Sequence, residues 1–225
     1  MKKENLDFLS THVLFSLTSI IILMIPILQV GLKLFILVII YNLLIPVISL
    51  YRKHQEWIKI WSFSFLISIF QIFPDWFLSA ELNILVFPED GLFKIGTVSG
   101  YMIGLWTIPL FIIILIGTKL QDKKSNLLTY CLVAIISLLI FGISEATMWL
   151  LPSWYPQNVT LLFEHLAIYI IIPEIILGVS SYYFFKNYKD NSIYYRLITA
   201  FTVMIIYMGY ISFFYFLIEK IIFLI

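Results

Sequence analysis

The side chains best suited to chemistry in this sequence are carboxylates set among apolar residues. Glu174 stands in an uncharged run directly after Pro173, with no basic residue near it in sequence. An ionised carboxylate inside a bilayer costs several kcal/mol unless it is paired or hydrated. An acid at this position therefore either handles protons or ties helices together. Pro173 leaves a backbone carbonyl near Tyr169 without its helical donor, which predicts a local break. A helix starting near Val159 carries Glu174 about 22 Å along its axis. On that helix Glu164 lies about 80° away from Glu174, and His165 lies on the opposite face.

Glu164 and Glu174 can thus border one cavity at different depths. Glu164 and His165 can form a proton-transfer pair with a neighbouring helix, or simply cap nearby loops at the interface. Glu145, near the end of a fifth apolar run, and Asp75, at the end of a third, fall on the same side of the membrane as this pair. Asp75, Glu145, Glu164 and His165 could together ligate a divalent metal through oxygen and imidazole. That set holds a single His, however, and the chain has no HExxH or His-x-His spacing. The pattern points instead to a proton-handling carboxylate cluster, with no metal and no soluble cofactor. The residues expected to carry chemistry are Glu174, Glu164, Glu145, His165 and Asp75.

Tyr101, Trp106, Asn42 and Tyr207 are intramembrane polar or aromatic residues expected to shape a pocket. A ring face of Trp106 or Tyr101 could stabilise a developing cation, although ordinary packing accounts for either ring alone. Asn42 could equally bond across helices. Gly96, Gly100 and Gly104 recur every four residues, which on a helix would permit close approach of a neighbouring backbone.

The elements that must position these residues are membrane helices. The chain has 225 residues, 62% hydrophobic and only 12% charged, about half the charge a soluble domain carries. Its charges are clustered between uncharged runs of about 20 residues, the length that crosses a ~30 Å hydrocarbon layer. Seven runs are predicted: Ser10 to Gln29, Leu32 to Leu50, Gln55 to Phe73, Ile95 to Gly117, Leu127 to Trp149, Val159 to before Lys186, and Tyr194 to Leu217. The first two are separate, with a tight turn at Val30-Gly31, because a single helix from Val13 to Leu50 would be ~57 Å long. Pro74 is expected to stop the third. The first run has no small-x-small cleavage site and reads as a retained helix.

With seven spans, eleven Lys and Arg (Lys2, Lys3, Arg52, Lys53, Lys59, Lys119, Lys123, Lys124, Lys186, Lys189 and Arg196) share one side, and three (Lys33, Lys94 and Lys220) share the other. The positive-inside rule then places the N-terminus in the cytoplasm and the C-terminus outside. The fold class expected is all-α: a polytopic transmembrane helical bundle forming a single domain over residues 1–225.

Several functions are disfavoured. A net charge of +1 without a basic face gives no footprint for nucleic acid. Cys131 is the only cysteine, so neither an intramolecular disulfide nor a cysteine cluster can form. No GxGxxG, Walker, GxSxG or kinase signature occurs. The last helix lacks the deep lysine of a retinal protein, and no internal repeat supports an inverted-repeat transporter.

The stretch Ile95-Gly96-Thr97-Val98 through Trp106-Thr107-Ile108-Pro109, Glu145 with Trp149 and Trp154, and Glu174 after Pro173 resemble small bacterial membrane proteins of the carotenoid hydratase and cyclase type. The resemblance implies a multihelical fold acting on long isoprenoid chains, with carboxylates as proton donors or bases. This chain departs from that pattern in lacking a dense set of aspartates. The function expected is acid–base cyclisation, hydration or isomerisation of a lipid-soluble isoprenoid in the bacterial cytoplasmic (inner) membrane. A small-solute or ion transporter using an intramembrane carboxylate and a noncatalytic assembly subunit are the alternatives. Membrane lipids, an isoprenoid substrate and a second copy or helix-packing partner are the associates expected.

Overall fold

The computed structural model describes residues 3–223, so Lys2, one of the eleven basic residues counted above, lies outside the described residues. Among the described residues seven helices are long and apolar enough to cross a membrane: Lys3–Leu23, Val30–Arg52, Gln55–Glu81, Met102–Gln121, Asn126–Leu150, Ile168–Tyr188 and Ile193–Ile222. The protein is an all-α, multi-pass membrane bundle.

The first helix, α1 (Lys3–Leu23), begins inside the charged N-terminal segment and ends before Pro26, which cannot continue it. The turn to α2 (Val30–Arg52) therefore covers residues 24–29, earlier than the expected Val30-Gly31. Large apolar side chains of α1, such as Leu14, Leu17 and Ile21, are exposed. A helix buried on one side only, in a chain this apolar, turns the rest toward lipid.

The third span does not stop at Pro74. After α3 (Gln55–Phe70) a one-residue break at Gln71 restarts the helix as α4 (Ile72–Trp76), followed by a wide π turn over Phe77–Glu81. Pro74 falls in the first turn after that break, where its missing N–H is one the helix would leave unpaired anyway. The span is thereby longer than expected and carries Asp75 inside the bundle rather than at its edge.

Two regions expected to be helical form hairpins. Residues 94–99 pair as β2 (Lys94–Ile95) with β3 (Val98–Ser99), and the fourth span starts only at α5 (Met102–Leu105), continuing as α6 (Thr107–Gln121). Gly96 has φ +62° in that turn, a left-handed conformation that glycine adopts without a Cβ clash. The Gly96/Gly100/Gly104 repeat is thus not one helical face. Gly100 faces the Phe93 ring, where an added Cβ would lie 2.5 Å away. Gly96 lies against Trp76 of α4, and only Gly104, of the three, sits in a helix and meets another, 2.7 Å from Val38 Cγ1 by the same measure.

The second hairpin, β5 (Leu161–Leu162) with β6 (Leu166–Ala167), occupies the expected start of the sixth span. The helix proper, α8 (Ile171–Tyr188), follows a 3-10 turn over Ile168–Ile170. Glu219, fully buried at the end of α9 (Ile193–Tyr215) and its π turn Phe216–Ile222, accepts hydrogen bonds from Thr160 N and Oγ1. This pin meets backbone polarity that a membrane helix would satisfy internally.

A third pairing closes the end of the bundle away from the Lys/Arg clusters. Strand β1 (Leu85–Val86) pairs antiparallel with β4 (Tyr155–Pro156), joining the connection after the third span to the one after α7 (Asn126–Thr147). The main core lies below, where Tyr41, Trp57, Ile60, Phe63, Ile67, Leu110, Phe111 and Tyr182 pack from α2, α3, α6 and α8.

Candidate functional site

Beneath the β1–β4 roof lies a cavity of ≈ 350 Å³ bounded by α4, α5, α6, α7, α8 and α9. Most of its wall is apolar, including Leu78, Met102, Leu105, Ile112, Ile140 and Ile170. Three carboxyl side chains face into it: Asp75, Glu145 and Glu174. Asp75 is 4% and Glu174 3% exposed, whereas Glu145 is half-buried because it also borders a second chamber. Glu145 and Asp75 are near enough to Glu174 for their charges to act on it.

Each acid is placed by a local irregularity. The break at Gln71 sets the phase of Asp75, which accepts a hydrogen bond from Trp106 Nε1 at 3.2 Å. Glu174 sits in the first turn of α8, just after Pro173. It is about 9 Å from the start of that span rather than the ~22 Å expected from a helix beginning at Val159. Glu145 lies on the last full turn of α7 before the 3-10 turn Met148–Leu150. Among the described residues no Lys, Arg or His forms an ion pair with any of the three. No Lys or Arg lines the cavity.

Aromatic rings complete the wall. Trp106 packs against Phe141 and Tyr207, with centroid separations of 5.6 Å and 6.0 Å. Tyr169 and Trp154 also line the space. Tyr169 escapes a reading based on helical spacing because it sits in the 3-10 turn before α8, off the helical register of Glu174. Trp154 lies in an aromatic connection whose interfacial look conceals its inward side.

The structure brings together Glu174, Glu145, Asp75, Trp106 and Tyr207 from the expected set. Glu164 and His165 are placed differently. They lie at the tip of the β5–β6 hairpin, so the 80° helical relation to Glu174 does not exist. Phe163 and Glu164 both adopt left-handed backbone there, with φ 54° and 67°. Glu164 and His165 line a separate outer chamber of ≈ 220 Å³ with Glu145, Trp149 and Tyr155. The His165 ring stacks on Trp149 at 4.4 Å.

Tyr101 and Asn42 do not line the cavity. The Tyr101 hydroxyl donates to Ser153 O at 3.0 Å, holding the connection that presents Trp154. Asn42 donates to Gly104 O at 3.1 Å and accepts from Trp61 Nε1 at 3.1 Å, so it ties α2 to α3 and α5. Among the described residues no group of three or more His, Cys, Asp or Glu has the geometry to hold a metal ion.

The model of a family described as a domain of unknown function (DUF6989) matches residues 72–218. The chain belongs to the DUF6989 family. The matched DUF6989 segment contains every residue that lines the cavity, from Asp75 to Tyr207, and leaves out α1, α2 and α3. No curated protein and no solved structure matches the chain.

Proposed function

We propose that this protein is a membrane enzyme, residing in a bacterial cytoplasmic membrane, that performs acid–base chemistry on a lipid-soluble isoprenoid. The observation that carries this reading is the cavity itself, in which three carboxyl groups without cationic partners converge between apolar and aromatic walls. Its volume falls in the range of small-molecule sites, about 300–1,000 Å³. An apolar wall selects a hydrocarbon chain, and the acids supply the exchangeable proton.

The chemistry balances without an oxidant or reductant. A carboxyl proton adds to one carbon of a double bond, and the electron pair of that bond forms the new C–H bond. The cation left on the other carbon is stabilised by nearby carboxylates and by the faces of Trp106 and Tyr207. Loss of a proton from an adjacent carbon to a carboxylate gives an isomer. Attack by a second double bond before that loss gives a ring, and addition of water gives an alcohol. Glu174 is the donor in this scheme, because it is the most enclosed acid without a hydrogen-bond partner. Asp75, held by Trp106, and Glu145 supply the opposing charge.

A cation-coupled transporter is the second reading, favoured by the same unpaired acids. Lipid extracts of cells with and without the protein, compared by mass, separate the two. A changed isoprenoid that reverts with Glu174→Gln supports the enzyme. Proton-coupled solute flux in reconstituted vesicles, with lipids unchanged, would replace it with the transporter.

A further inference from the structure

The outer chamber is not an isolated dent. It shares Glu145, Met148, Trp154 and Pro156 with the inner cavity, so the two spaces meet across one set of side chains. Their walls differ in kind. The inner space is walled mainly by aliphatic and aromatic carbon, whereas the outer one presents Glu145, Glu164 and His165 beside Trp149 and Tyr155. An apolar chamber beside a small polar one, with four side chains in common, has the form of a site for an amphiphile, with its chain in one and its head in the other.

The charge of that head follows from what the walls lack. No Lys or Arg lines either chamber. The cations assigned to this side of the membrane are engaged elsewhere. Lys33 Nζ donates to Leu23 O, Lys94 Nζ donates to Phe87 O, and Lys220 lies over the Tyr215 ring. Phosphate and carboxylate heads are recognised by guanidinium, ammonium or clustered backbone N–H groups. Here such a head would meet two carboxyl groups and one imidazole, that of His165, whose ring is already stacked on Trp149, and like charges at close range in a partly desolvated site repel strongly. A hydroxyl or an amine finds acceptors in Glu145 and Glu164 and ring faces in Trp149 and Tyr155. Glu174 points to a ligand independently. It is 3% exposed, faces the cavity and has no hydrogen-bond or ion-pair partner among the described residues.

We infer that the two chambers form one bipartite site for a single-chain isoprenoid amphiphile whose head is an alcohol or an amine, and that the site rejects phosphorylated chains. The inference rests on the proposed isoprenoid-acting site and narrows its substrate class, but binding tests it without requiring turnover.

The experiment uses the full chain in nanodiscs and reads intrinsic tryptophan fluorescence, since Trp106, Trp149 and Trp154 line the two chambers. The probes are farnesol, farnesylamine, farnesyl diphosphate and the parent hydrocarbon farnesane, each corrected against empty nanodiscs. Saturable quenching by the alcohol and the amine is expected, with the diphosphate at least ~10-fold weaker because of the like-charge contact. Farnesane should bind more weakly than the amine. Glu164 is exposed on a hairpin tip. Glu164→Gln should therefore keep the folded yield by size-exclusion chromatography and narrow the gap between amine and diphosphate. Glu164→Lys should raise diphosphate binding.

Equal or tighter binding of the diphosphate to the unaltered protein would overturn the inference. So would farnesane binding as tightly as the amine, no saturable binding of any probe, or a gap unmoved by both Glu164 variants. These outcomes are distinct from failure of the enzyme reading. Head-group preference can persist in a protein that converts no lipid, and lipid conversion can persist in one that binds the diphosphate best.

Discussion

The two ends of this bundle use the same side chains in opposite ways. At the basic end the carboxylates of Glu4, Asp7, Glu56 and Asp190 each meet a cation. Asp7 accepts from Arg52 Nε and Nη2 at 2.9 Å and 2.7 Å and lies 2.9 Å from His54 Nε2. Lys189 reaches Glu56, Lys59 reaches Asp190, and Lys119 lies 3.7 Å from Glu4. At the other end Asp75, Glu145 and Glu174 share a cavity and meet no cation. A carboxylate with two or three fixed donors is a fastener, because its charge is already spent on the fold. Three carboxyls crowded together in an apolar space cost stability, and the proposed acid–base function is a reason for a fold to keep them.

The sharpest way to break this contrast is to neutralise one acid at each end. Glu174→Gln keeps size and hydrogen-bonding capacity but has no acid proton. It should reduce lipid conversion by about 10²–10⁴-fold, the usual contribution of a general acid or base. Folded yield by size-exclusion chromatography should be unchanged, because no partner charge is stranded. A well-folded Glu174→Gln protein with full activity would end the proton-handling reading of the cavity.

A smaller effect is expected one step from the acid. Trp106→Phe keeps an aromatic ring in the wall but removes the N–H that Asp75 accepts. Losing one hydrogen bond to a charged group should cost about tenfold in turnover. Asp75→Asn retains an acceptor for Trp106 and should fold normally while losing more activity than Trp106→Phe. The reverse order, measured on equal amounts of folded protein, would make Trp106 the more important of the two and Asp75 its structural anchor.

Asp7→Asn should show the opposite profile. It strands Arg52 and loosens α1 from α2, so the melting temperature in detergent should fall by a few degrees. Turnover per folded molecule should stay the same. A large drop in turnover without a change in melting would place the basic end in the reaction.

Much of this was legible in the sequence. The seven spans and the side of each charge follow from uncharged runs and Lys/Arg clusters, which report the bilayer directly. Topology carries Asp75 and Glu145 to one side, since alternating spans end there, but Glu174 joins them only because its helix starts late, at Ile171 rather than Val159. The start of α8 was not legible. Val159 to Ala167 is largely apolar, and the Glu219–Thr160 hydrogen bonds that help hold it as a hairpin join residues 59 apart in sequence. The same holds for the hairpin before α5, where Asp90 accepts from Leu92 N and Ser99 Oγ. The Gly96/Gly100/Gly104 spacing mimicked a helical stripe across a turn. Period-four spacing is evidence for a face only where the helix exists.

The smallest effect belongs to the exposed pair of Lys59 and Asp190. The Lys59 ammonium, with Lys189 and Arg196 behind it, holds the Asp190 carboxyl below its ordinary value of 3.8. A carboxylate lowered in the folded state contributes stability that is fully present above the unfolded value. That contribution is lost as the pH falls through the folded one. Asp190 remains 68% exposed in side-chain terms, so water and salt screen most of the attraction. Asp190→Asn should therefore leave the melting temperature at pH 7 nearly unchanged. The slight difference from the parent should vanish below the folded value, and raising the salt concentration should erase it at every pH. A loss at pH 7 as large as that of Asp7→Asn, persisting in high salt, would show that this loop pair holds the basic end together as firmly as the Asp7–Arg52–His54 group does. Paired carboxylates would then have to be ranked by something other than burial and donor number.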